Sequence, residues 1–329
     1  MKKIVHIGQM KSGTTYIQSS LSQNRKLLND SGFLYPGNLF NQQHACYGIC
    51  GKHIPWVNPE KKWEELGVMM LDEIDKSDND ILISSEALSC MGEKGVESFI
   101  NRIGGIDEVV VTVRNFHRVI LSAWQQSIKG GGVRSLPEFI EYIRTDRILN
   151  KGMWKNYSFG ETVKVWSKHA KVNVVVVGGD NTKGDLLDRF SEVCKLPELS
   201  KPKLKTSEMN KSLKREDVEL LRCFNYFNKS MERNKKDSYI RWILHNGFFP
   251  ASNLKEGSKI KIPKESVDEV VYWAKEEVEK IPAGINLVGF LEDIFTVNEN
   301  DVEDVQYSND DHLSRANYIL RLIFESLKK

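Results

Sequence analysis

The stretch Ile4-Val5-His6-Ile7-Gly8-Gln9-Met10-Lys11-Ser12-Gly13-Thr14-Thr15 runs from an apolar strand into a glycine-bounded loop and then toward a helix. Gly8 and Gly13 are expected to take backbone angles closed to other residues, curling the loop until its successive amides point inward. The helix opening at Thr14 adds its positive end to the same place. Such a loop predicts a cradle for a phosphate or sulfate.

Set against the P-loop pattern G-x-x-x-x-G-K-[ST], the loop has both glycines but carries Thr14 where the lysine belongs, with Lys11 inside the loop instead. In nucleotide triphosphatases that lysine reaches the outer phosphates and the next hydroxyl holds magnesium. Moving the cation to the loop apex changes the leaving group it stabilises and weakens the case for a metal.

A second segment, Val109-Val110-Val111-Thr112-Val113-Arg114-Asn115-Phe116-His117-Arg118-Val119-Ile120-Leu121-Ser122, is another buried strand followed by a helix. Arg114, leaving the strand's carboxyl edge, offers a planar fork suited to phosphate oxygens. Ser122, about two helical turns on, is expected on the same side as the helix start. The alternative is that Arg114 pairs with a carboxylate and Ser122 is a packing residue.

Lys11-Ser12-Gly13-Thr14-Thr15 resembles the 5′-phosphosulfate-binding loop of sulfotransferases that use 3′-phosphoadenosine 5′-phosphosulfate (PAPS), and the strand–Arg114–Ser122 segment is similar to their 3′-phosphate-binding segment. The resemblance implies that Lys11, Ser12, Gly13, Thr14 and Thr15 hold the phosphosulfate while Arg114 and Ser122 hold the 3′-phosphate. Asn210-Lys211-Ser212-Leu213 resembles a segment near the nucleoside end in bacterial relatives, which adds Asn210 and Ser212 to the expected donor site. PAPS is then the donor and 3′-phosphoadenosine 5′-phosphate the product.

Ile81-Leu82-Ile83 reads as a buried strand ending in Ser84-Ser85-Glu86, which brings a carboxylate to the sheet edge where open α/β folds place ligands. Glu86 is the expected general base, matched to the family by position, with Lys11 as its catalytic partner. The alternative for Glu86 is a helix first-turn residue favoured by the dipole. His44 and His53 are alternative bases or lining groups, in a stretch from 36 to 59 that reads as a functional loop and first candidate for acceptor binding. His44, Cys46, Cys50 and His53 also suggest zinc, although their spacing fits none of the common patterns.

Val172–Val177 is a further buried run, and helices are expected over 14–28, 60–76, 116–129, from 136, and over 159–169 and 186–194. Strands alternating with helices predict an α/β fold: a three-layer P-loop-type arrangement with a mainly parallel sheet flanked by helices, plus a helical carboxyl-terminal lobe. Residues 1–200 are expected to form the core and 201–329 a helical portion packed on it, together one continuous domain. Amphipathic stretches at 239–244, 267–278 and 313–327 belong to that lobe, with Trp242, Trp273 and Phe324 on their apolar faces.

A net charge of +2 over 329 residues is too small to indicate nucleic-acid binding. Met1-Lys2-Lys3 leads straight into the first strand and no apolar run is long enough to cross a bilayer, so a cytoplasmic enzyme is expected. Five irregularly spaced cysteines do not suggest a disulfide framework. The sequence therefore reads as a sulfotransferase moving a sulfuryl group from PAPS to a hydroxyl, with a carbohydrate or glycan favoured by the resemblance and no metal expected. The alternatives are a P-loop kinase using ATP on a small molecule and a non-catalytic nucleotide-binding module.

Overall fold

The computed structural model describes residues 1–58, 60–201, 212–251, 257–303 and 309–327, without the side chains of 309–314, 324 and 327. Asn210, proposed for the nucleoside end, lies outside them, as does the side chain of Phe324. Eight strands are present among the described residues: β1 (Lys3–His6), β2 (Phe33–Leu34), β3 (Asp80–Ser84), β4 (Glu108–Val113), β5 (Lys171–Val176), β6 (Ile262–Pro263), β7 (Asn286–Val288) and β8 (Val302–Glu303). Six of them form one sheet in the order β2-β3-β1-β4-β5-β7, parallel at every pairing.

Burial on both faces explains the unbroken apolar runs. The first helices are α1 (Thr14–Gln23), α2 (Arg25–Asp30), α3 (Gln43–Cys50), α4 (Lys61–Asp75), α5 (Glu93–Ile103), α6 (Phe116–Lys129), α7 (Leu136–Ile148), α8 (Phe159–Trp166) and α9 (Leu186–Cys194). One face of the sheet, through Ile4, Leu82, Val110 and Val175, packs on Ile17 and Leu21 of α1 and on Leu187 and Phe190 of α9. Helix α8 covers β4 and β5 and meets α5 through an edge-on contact between Phe99 and Trp166.

Two expectations are corrected here. The helix expected over 14–28 is two, parted at Asn24, whose side-chain amide folds back on the Ser20 carbonyl at 2.8 Å while its oxygen accepts from the Ser200 hydroxyl. The stretch 36–59, read as a loop, contains α3, which buries Ala45, Cys46, Tyr47, Ile49 and Cys50 and comes so near α4 at Gly48 that a Cβ there would stand 1.9 Å from the Trp63 carbonyl oxygen.

The chain divides into two units. The first comprises residues 1–119, 146–203 and 270–296, and contains the sheet. β7, within a region read as helical, pairs with β5 through Asn173–Asn286 and its neighbours. The second unit comprises 120–145, 204–269 and 297–329. It is mostly helical, carries the β6–β8 pair, and buries an ion pair between Arg315 and Asp217 at 2.6 Å. Among the described residues no helix is long and apolar enough to cross a membrane.

Candidate functional site

β1 lies between β3 and β4, so the chain passes from one side of β1 to the other between its third and fourth strands. Such a reversal opens a crevice at the carboxyl edge of a parallel sheet, where α/β proteins seat ligands. Three segments leave the sheet there: the loop 7–13 after β1, Ser85-Glu86 after β3 and Arg114-Asn115 after β4.

The loop turns by a device that differs from the expected one. Gly13 is left-handed at φ 84, but the other left-handed residue is Lys11 at φ 70, not Gly8. Gly8 is needed for its size: a Cβ there would lie 1.9 Å from the Thr112 hydroxyl and 2.9 Å from that of Ser12. A lysine held in this conformation costs about 1–2 kcal/mol, a burden that accumulates where function needs the geometry.

Beneath the loop a chain of buried polar groups crosses three strands. His6 Nδ1 meets the Ser84 hydroxyl at 2.8 Å and Nε2 meets Thr112 Oγ1 at 3.1 Å. Thr112 in turn meets Ser12 Oγ at 2.8 Å, and Ser12 donates to the Gln9 carbonyl. Burial pushes the imidazole down to about 3, so it is neutral and serves as a hydrogen-bonding strut. Ser12 is buried, its hydroxyl engaged by Thr112 and the Gln9 carbonyl and its amide donated to that same carbonyl at 3.1 Å, so its own contacts brace the loop.

The amides of Gly13, Thr14 and Thr15, at the cap and first turn of α1, have no protein acceptor among the described residues, the usual condition of helix N-termini. Thr14 is buried and Thr15 half-buried. Arg114 reaches across from the other junction: its Nη1 donates to the Lys11 carbonyl oxygen at 3.3 Å, and its amide to Gln9 Oε1 at 3.4 Å. Asn115 is clamped by donating to the carbonyls of Asp293 and Thr296.

Burial lowers the affinity of both cations for their protons, and each is lowered further by a neighbour of like charge, Lys11 by Arg114 and Arg114 by Arg118. Glu86 opposes this at Lys11. Glu86 is half-buried, opens a short 3-10 turn, and accepts from Gln18 Nε2 at 2.9 Å. Gln18, one turn along α1 from Thr14, is 1 % exposed. The arrangement gathers half-buried positive charge and amides without a protein acceptor among the described residues with one oriented carboxylate, which suits an anion carrying a reactive group.

Of the remaining expected residues, Cys46 lies beside Ser85 and feels the charge of Glu86, while Ser122 and Ser212 belong to the second unit. Ser122 is half-buried on α6, within the second unit. Ser212 is exposed in that unit, next to Leu213, whose amide is held by Gln125. His44 is exposed and stacks on Trp63 at 5.2 Å, and His53 is also exposed. Cys46 is buried, its thiol pushed up to about 12 by burial. Among the described residues these four form no metal-sized group; the group that does is Glu93, Glu97 and His169, in which Glu93 already pairs with Lys168 at 2.8 Å.

The residues missed in the sequence are His6, Gln9, Gln18 and Thr112. The signal available was a polar residue at or next to the carboxyl end of a strand with an apolar middle, which β1, β3 and β4 each supply as His6, Ser84 and Thr112. No protein-family model, curated protein or solved structure matches this chain.

Proposed function

We propose that this chain transfers a sulfuryl group from PAPS to an acceptor hydroxyl, on a three-layer P-loop-type fold and in the cytoplasm, where its five cysteines stay as free thiols. The observation that carries the reading is the meeting of Arg114 with Lys11, which joins two strand–helix junctions at one edge of the sheet. A donor with an anion at each end needs two such sites near each other.

In this reading the amides of Gly13, Thr14 and Thr15 with Lys11 receive the 5′-phosphosulfate, and Arg114 takes the 3′-phosphate. The acceptor oxygen attacks sulfur, the bond from sulfur to the bridging oxygen breaks, and the electron pair leaves with 3′-phosphoadenosine 5′-phosphate. Lys11 neutralises the charge growing on that leaving oxygen. Glu86, oriented by Gln18, accepts the acceptor's proton. Calorimetry tests the reading: tight binding of 3′-phosphoadenosine 5′-phosphate, indifferent to magnesium, supports it. A preference for ATP with magnesium overturns it in favour of a kinase.

A further inference from the structure

Two consecutive helices of the second unit, α10 (Arg215–Phe227) and α11 (Arg233–Ile243), are joined by a turn over residues 228–232. Both are tied to the segment 128–132 of the same unit. Asn225 donates to the carbonyls of Ile128 and Gly132 at 2.7 and 2.8 Å, and Lys236 Nζ donates to that of Gly131 at 3.0 Å. Leu221 of α10 and Ile240 and Ile243 of α11 are buried. The turn itself is closed by the Asn228 amide on the Phe224 carbonyl and by the Met231 amide on the Asn228 carbonyl. Its residues are therefore displayed in a set conformation.

What it displays is aromatic and basic. Phe227 is 81 % and Tyr226 54 % exposed, their rings meeting edge-on at 6.3 Å, and Met231 is exposed beyond them. A phenylalanine is ordinarily among the residues a fold hides, and a cluster of exposed apolar side chains rimmed by polar ones marks a contact surface. Residues 227–241 hold five lysines and arginines against two acids, a local charge of +3 where the whole chain carries +2. Lys229 Nζ lies over the Tyr226 ring at 4.4 Å. Among the described residues neither Lys229 nor Arg233 is in an ion pair, whereas Lys235 pairs with Glu232 at 3.4 Å.

We infer that the α10–α11 turn docks on an anionic lipid surface, Phe227 and Tyr226 entering the interface while Lys229 and Arg233 meet the headgroups. Aromatic rings with basic flanks suit a boundary that is apolar on one side and wet on the other. Each cation near a negative leaflet adds about fivefold in affinity, so ring burial and charge act together where either alone would hold the chain only weakly. A protein partner would cover roughly 800 Å² on this side, more than two partly exposed rings of about 150–250 Å² each supply. The docking is peripheral and needs no membrane-spanning helix.

Co-sedimentation of the full chain with vesicles tests this, using phosphatidylcholine alone and phosphatidylcholine mixed with phosphatidylserine. Binding is expected to the mixed vesicles only and should weaken as salt is raised. Phe227→Ser should lower the affinity about tenfold, the worth of partly burying one aromatic side chain. Lys229→Glu combined with Arg233→Glu should lower it at least as much. All three residues are exposed, so the melting temperature of each variant should stay that of the parent. Cys223, one helical turn before Phe227, is exposed while the other four cysteines are buried, and an environment-sensitive dye on its thiol should shift to the blue on the mixed vesicles. Equal binding to both vesicles, no binding to the mixed ones at low salt, binding without the shift in emission, or variants that bind like the parent overturns the inference. So does a lipid-independent dimer that Phe227→Ser renders monomeric, which would make the turn an interface between two copies of the chain.

Discussion

The guanidinium of Arg114 donates to the backbone oxygen of Lys11 at 3.3 Å, so the turn after β4 braces the turn after β1. This contact uses one nitrogen of a planar fork and leaves the geometry that separates arginine from lysine decisive. Arg114→Lys keeps the charge and loses the fork, and should weaken 3′-phosphoadenosine 5′-phosphate about tenfold or more. Calorimetry on the two proteins decides it; equal affinities would remove Arg114 from the donor site.

Lys11 sits in a left-handed conformation that glycine adopts at no steric cost. Lys11→Gly relieves that strain while giving up side-chain contacts and chain stiffness, so its unfolding free energy should stay within about 1 kcal/mol of the parent. Turnover should fall roughly a hundredfold or more, as when a donor to a developing negative charge is removed. Denaturant titration and an assay with labelled donor measure the two; parallel loss of stability and activity would make Lys11 a structural residue only.

Glu86 accepts a hydrogen bond from Gln18. Glu86→Gln should lower turnover by about 10²–10⁴, the usual worth of a general base, with bisphosphate binding retained. Gln18→Leu should lower turnover less and alter the pH–rate profile, because the carboxylate keeps its charge and loses its orientation. A Glu86→Gln enzyme with full turnover sinks the assignment.

His6 holds its proton only near pH 3, against 6.5 when unfolded. Between these values the unfolded chain binds the proton and the folded one does not. The contribution of His6 is therefore complete above pH 6.5 and is lost as pH falls toward 3, at about 1.4 kcal/mol per unit. His6→Asn, which keeps a side chain able to hydrogen-bond, should show a shallower acid loss of stability over that window. Unfolding titrations at a series of pH values check this; identical slopes would mean that the imidazole is not buried as a neutral group.

The sheet was legible because its central strands are apolar on both faces. Ile81–Ile83, Val109–Val113 and Val172–Val177 each fall within a residue or two of β3, β4 and β5. Local chemistry also marked the left-handed Gly13 and the start of α1 at Thr14. What stayed hidden depends on partners far along the chain. α3 is short, lies in a stretch rich in glycine, asparagine and histidine, and packs closely on α4 at Gly48. The break at Asn24 is held by Ser200, and the short edge strand β7 has no apolar run of its own. Ser12 carries the identity of a ligand-binding residue and the surroundings of a strut, a distinction set by which strands are neighbours.

β7 and the Asp293–Thr296 segment are made more than a hundred residues after β5, yet they pair with it and grip Asn115 beside Arg114. On the ribosome the nascent chain must therefore hold an unfinished sheet edge open while residues 204–269 emerge. A chain cut near residue 200 would lack both the closing strand and the anchor of the turn that carries Arg114. Synthesis order thus makes the anchoring of Asn115, beside Arg114, one of the last contacts of this sheet edge to form.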